Sequence, residues 1–186
     1  MIHVSASACF LAAVLILLLP ADRLLAAVLA GGFHEIGHLL AIYAMGSRVS
    51  RVQIRASGTR IYTVLPGYRQ EFLCAAAGPL MSLMLLLFCH TAPMLAFFGM
   101  IQGMFNLLPV YPLDGGRMLF CLLQWKKQQK AEQICRCVGY AVCGALLLAG
   151  LILLLRNRAG FFPLLCWAAV AAKLKIPCKS EDIAVQ

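Results

Sequence analysis

Six apolar runs, at roughly 4–20, 22–45, 71–90, 93–112, 137–155 and 159–172, take up most of this 186-residue chain. A helix needs about 20 apolar residues to cross the hydrocarbon core of a bilayer, and about 17 is the lower limit. The first five runs meet that requirement; the sixth, at roughly 14 residues, reads as tilted, partial or re-entrant. Apolar residues make up 62% of the chain and charged residues 12%, against roughly 45–50% and about 25% in soluble domains. No soluble fold of this size hides that much apolar surface. The expected class is an all-α polytopic membrane protein with about six transmembrane helices.

The net charge of +9 does not indicate nucleic acid, because the basic residues sit between apolar runs rather than on a soluble body. Arg48, Arg51, Arg55, Arg60 and Arg69 fall in one loop, Arg117, Lys126, Lys127, Lys130 and Arg136 in another, and Lys173, Lys175 and Lys179 in the tail. If all six runs cross, only Arg23, Arg156 and Arg158 face the other side. The positive-inside rule then puts both termini and both long loops in the cytoplasm, with the lipid bilayer as surroundings and anionic headgroups near the basic loops. The nine cysteines show no C-x-x-C pair, and most read as small buried hydrophobes. Met1–Val4 carry no Lys or Arg, so the first run is read as a retained helix rather than a secretory signal.

Val49–Leu65 departs from the helical pattern. It is rich in β-branched residues, alternates in part, and is broken by Ser57-Gly58, which predicts a small β-hairpin at the cytoplasmic face. A solvated basic loop is the alternative. A sheet edge there could hold an extended peptide through main-chain hydrogen bonds.

The second run contains His34-Glu35-Ile36-Gly37-His38. On a helix, i and i+4 share a face, so both imidazoles can reach one metal ion, and neutral imidazole is a good zinc ligand. Glu35 lies beside that face, placed to take a proton from a bound water. Two histidines and an acid packed idly together would be costly inside a bilayer, where ionisable groups are rare and usually functional.

Catalytic zinc usually has three protein ligands and an open position. His3 is terminal and His90 falls at the far end of its run, which leaves Asp114 in Asn106-Leu-Leu-Pro109-Val-Tyr-Pro112-Leu-Asp114-Gly115-Gly116. Pro109 and Pro112 cannot continue a regular helix, so the backbone opens just before Asp114. Asp-Gly-Gly taken alone reads as a turn. Gly78-Pro79 reads chiefly as close helix packing, with substrate gating as the alternative.

HEIGH in a span, AAAGP at 75–79 and NLLPVYPLDGGRMLF at 106–120 together resemble the site-2 proteases, intramembrane zinc metalloproteases of peptidase family M50, and in particular their sporulation members. The resemblance covers about residues 20–172. It implies that His34, His38 and Asp114 hold Zn2+, that Glu35 is the catalytic base, and that Asn106 helps to position substrate backbone, although Asn106 could instead satisfy helix backbone near Pro109. It implies a membrane-associated protein substrate, a sporulation sigma-factor precursor, and membrane-embedded regulatory proteins as partners. A catalytically silent regulator of the same fold and a membrane metal transporter are the other classes. The expected organisation is a membrane-embedded protease domain over 1–175 and a short cytoplasmic tail over 176–186. That tail is too short to bury a core and has no glycine loop for phosphate, so no nucleotide-sensing domain is expected there.

Overall fold

The structure, a computed structural model, describes residues 2–6, 9–10, 13, 16–17, 20–55, 58–63, 67–156, 167–168 and 170–171. The elements run β1 (Ile2–Val4), α1 (Ala21–Ala44), β2 (Val49–Arg55), β3 (Gly58–Thr63), α2 (Tyr68–Met84), α3 (Pro93–Asn106), α4 (Asp114–Trp125) and α5 (Ala131–Leu155). They form two compact units, one holding Met1–Asn106 and the other Leu107–Pro177.

Three helical stretches are long and apolar enough to cross a membrane: Ala21–Ala44, Tyr68–Phe88 and Ala131–Leu155. They match the second, third and fifth apolar runs, the last starting six residues earlier than its run. Tyr68–Phe88 is α2 continued by a 3-10 turn over Leu85–Phe88. Large apolar side chains such as Leu25, Val28, Leu87, Leu148 and Leu151 are exposed on these helices, the kind of surface that lipid covers.

Six spans are not confirmed. The fourth run, residues 93–112, is not helical throughout: α3 stops at Asn106 after 14 residues. The reason is Pro109 and Pro112, each of which lacks the N–H that a continuing helix would need. The first and sixth runs are described only in part, and the tail after them lies outside the described residues.

In the first unit, β2 and β3 pair antiparallel, with Val52 opposite Ile61 and Gln53 opposite Arg60, as the hairpin reading expected. The sheet is larger than a hairpin, however, because Ile2–Val4 pairs parallel to Val52–Ile54. Thus β2 is central, and the edge expected to be open for a peptide is already filled on that side. Buried Ile61 joins Ile42 of α1 and Cys74 of α2 in one apolar cluster, with Met45 against it, which ties the sheet to the helices. Helix α1 ends where Gly46 takes φ +70, a left-handed C-terminal position that glycine accepts without strain.

Helices α1, α2 and α3 meet through glycines. A Cβ at Gly37 would lie 2.6 Å from the Ala77 carbonyl oxygen and 2.8 Å from Met81 Cβ. One at Gly99 would lie 2.8 Å from the Ser82 carbonyl oxygen. No side chain fits at such distances, so these positions set how closely the backbones approach.

In the second unit, the chain from Leu107 folds back over the first turn of α4. A side chain at Gly115 would run into the Leu107 and Leu108 carbonyls, and one at Gly116 into the backbone of Val110 and Tyr111. Val110 and Leu113 are buried beside them. The Asp-Gly-Gly turn is therefore a helix start whose two glycines make room for the proline-opened segment before it.

Candidate metal centre

His34 and His38 lie four residues apart on α1, on one face, and both are buried. Their positions are fixed from α2. His38 Nδ1 donates to the Cys74 carbonyl at 2.8 Å. A carbonyl only accepts, so Nδ1 carries the proton and a neutral His38 presents its Nε2 lone pair. His34 Nδ1 lies 2.9 Å from Ser82 Oγ, a hydroxyl that can accept or donate. The two Nε2 atoms come within 3.3 Å of each other, with the rings edge to face and 4.9 Å between centroids.

This donor set fits a metal ion. Both rings have their Nδ1 atoms held by an outer oxygen and turn Nε2 toward one point, the arrangement in which metal-binding histidines are oriented by outer partners. Ser82, fully buried, is itself held between helices: Gly99 and Gly103 of α3 lie over it, and a Cβ at Gly103 would sit 3.2 Å from Ser82 Cβ.

Gly78 and Pro79 act at the same place. A Cβ on Gly78 would overlap the His38 imidazole at Nε2 and Cε1, so the absent side chain is the space the ring occupies. Pro79 has no N–H for the Ala75 carbonyl four residues earlier, which loosens α2 in the turn whose Cys74 carbonyl reaches His38. The packing reading of Gly78-Pro79 is thus correct, and what packs there is His38. Ser82 and Cys74 are the site's supports that sequence reading missed. Ser82 carried a signal of a kind, a hydroxyl in an apolar run; the Cys74 contribution is a main-chain oxygen and carries none.

Glu35 follows His34 in α1 and is half-buried. Asn106, at the end of α3, donates from Nδ2 to the Gln102 carbonyl at 3.1 Å, the backbone use that the sequence left open for it beside substrate positioning. Asp114 belongs to the second unit, where it is buried at the first position of α4. There the partial positive charge of the helix start favours its carboxylate.

Comparison with known proteins extends these observations. The chain is 31% identical to stage IV sporulation protein FB of Bacillus subtilis (strain 168), over 54% of its own length and 40% of the relative's. It spans about two-fifths of that relative. The model of peptidase family M50 matches residues 87–149, a stretch that includes α3, the proline-opened segment and Asp114. A site-2 protease structure from Methanocaldococcus jannaschii aligns with a TM-score of 0.64, covering 96% of this chain and 93% of that one. At 20% identity this likeness shows the fold alone, that of the site-2 protease structure.

Proposed function

We propose that this chain is an M50-type, zinc-dependent metalloendopeptidase that hydrolyses a peptide bond of a membrane-associated protein within or near the bilayer. The observation that carries the reading is the pair of buried histidines whose Nε2 atoms converge at 3.3 Å while α2 holds the other side of each ring. We assign His34 and His38 from the first unit and Asp114 from the second as the ligands. They are the three ligands that the resemblance to the site-2 proteases implies. Two neutral nitrogens and one carboxylate suit zinc. When bound, zinc supplies a Lewis acid for the scissile carbonyl and makes water at the site more acidic.

The chain's own groups do the rest. Glu35, beside the histidine face, takes a proton on its carboxylate from the attacking water and passes it to the leaving amine. The Cys74 carbonyl and Ser82 hydroxyl keep the imidazoles from turning. The Gly115-Gly116 turn holds the Asp114 backbone in place. Asn106 acts on substrate backbone in this proposal, through the end of α3. The family resemblance implies a sporulation sigma-factor precursor as substrate, with membrane-embedded regulators as partners, and we propose both for this chain. Both basic loops and both termini are assigned to the cytoplasm on the positive-inside pattern.

Purified protein in liposomes, given a membrane-tethered substrate, tests the reading. It should carry about one zinc per chain, as three-ligand sites do, and cleave the substrate; zinc flux without hydrolysis would favour transport instead. Asp114→Asn keeps an oxygen but loses its charge, so zinc occupancy should fall in part and cleavage by roughly 10–100-fold. Asp114→Ala should lose more zinc than Asp114→Asn, and full zinc content in it would place the third ligand elsewhere. Ser82→Ala removes an outer partner only. It should weaken zinc binding about tenfold in a zinc titration, with helix content unchanged by circular dichroism.

A further inference from the structure

The side chain of Gln102 has no role in the site described above, yet it lies beside it. Gln102 is on α3, half-buried, and the atoms nearest a Cβ built on Gly31 are its Oε1 at 3.9 Å and Nε2 at 4.0 Å. Gly31, His34 and His38 fall at i, i+3 and i+7 of α1, so the amide sits over the histidine face, one turn before His34. A second contact places it at the same level. The next residue, Gly103, rests on Ser82, whose hydroxyl holds His34. The amide has no hydrogen-bond partner among the described residues, while the Gln102 main-chain carbonyl accepts from Asn106.

Gln102 is half-buried at a helix junction in an apolar bundle, where a polar group gains from a partner that replaces the water it loses. A packing residue at this position would be apolar. The group that matches a primary amide is another amide, and an extended peptide offers one donor and one acceptor per residue. A substrate helix has those groups tied up internally, and they are freed only when it is opened for cleavage. Gly31, with no side chain, leaves the α1 side of this position open.

We propose that Gln102 binds substrate backbone, its Nε2 donating to a main-chain carbonyl and its Oε1 accepting a main-chain N–H of the opened segment near the scissile bond. The inference rests on the protease reading above. Gln102 contributes binding and positioning, and it neither moves a proton nor ligates metal.

The test uses the full chain in liposomes with a membrane-tethered substrate, and reads KM, kcat and zinc content. Gln102→Met keeps length and removes the amide. Its apparent KM should rise about tenfold, the scale of one lost hydrogen bond with its partner left unmatched, with kcat within about twofold and zinc unchanged. Gln102→Asn keeps both amide atoms one methylene short and should fall between, which decides the matter if the Met variant does not fold. Gly31→Val, which fills the open side, should raise KM as well. An unchanged KM in Gln102→Met and Gln102→Asn overturns the proposal, as does a joint loss of zinc and kcat, which would make the amide a support of the metal centre. Wild-type protein that binds zinc and cleaves nothing would instead refute the protease reading itself.

Discussion

Glu35→Gln should abolish cleavage while leaving zinc in place. The amide matches the carboxylate in size but cannot take a proton from water or return one to the leaving amine. General acid–base steps contribute roughly 10²–10⁴-fold, so a loss in that range is expected in the liposome assay. Zinc content should stay at the wild-type value, because Glu35 is not among the assigned ligands and the histidines are held from α2 through Cys74 and Ser82. The combination is what matters. Cleavage that survives the substitution removes Glu35 from its role, and zinc lost along with cleavage would make it a ligand or a prop for one.

Gly78→Ala should be nearly as damaging, although it adds one methyl group on a different helix. That methyl would overlap the His38 ring. The ring cannot simply swing aside, because Nδ1 is tied to the Cys74 carbonyl at 2.8 Å and its Nε2 meets His34. Either α2 backs away from α1, against the contact at Gly37, or His38 leaves its position. A displacement of about 1 Å in a reacting constellation costs on the order of 100-fold in rate, and zinc affinity should fall with it. Gly32→Ala is the control. Nothing lies within 4 Å of a Cβ there, and alanine suits a helix better than glycine by about 1 kcal/mol. It should cleave normally and melt no lower than wild type.

Much of this was readable from residue types alone. A four-residue spacing of histidines is a statement about one helix face, so His34 and His38 needed no tertiary information. The three long helices were legible because their apolar content is continuous, and the hairpin because Val49–Thr63 is β-branched and broken near Gly58. Other features depend on contacts between distant segments. The Cys74 carbonyl is a main-chain group that every residue possesses, so no sequence pattern marks it. Gly78 reads as a packing glycine in any membrane helix, and only the structure shows that the buried His38 ring fills the space. The fourth run reads as one apolar stretch, but its prolines limit α3 to the 14 residues observed.

The parallel pairing of Ile2–Val4 with Val52–Ile54 bears on the order in which this protein is made. Strands β2 and β3 are adjacent in sequence and can close as soon as both leave the ribosome, as local pairings do. Strand β1 emerges first, but Ile2 and its partner Val52 are 50 positions apart, and the whole of α1 lies between them. Ile2–Val4 must therefore wait for the HEIGH helix to be laid down before their hydrogen bonds to β2 can form. Completion of this small sheet marks the moment at which the histidine-bearing helix has been bracketed at both ends by its own chain.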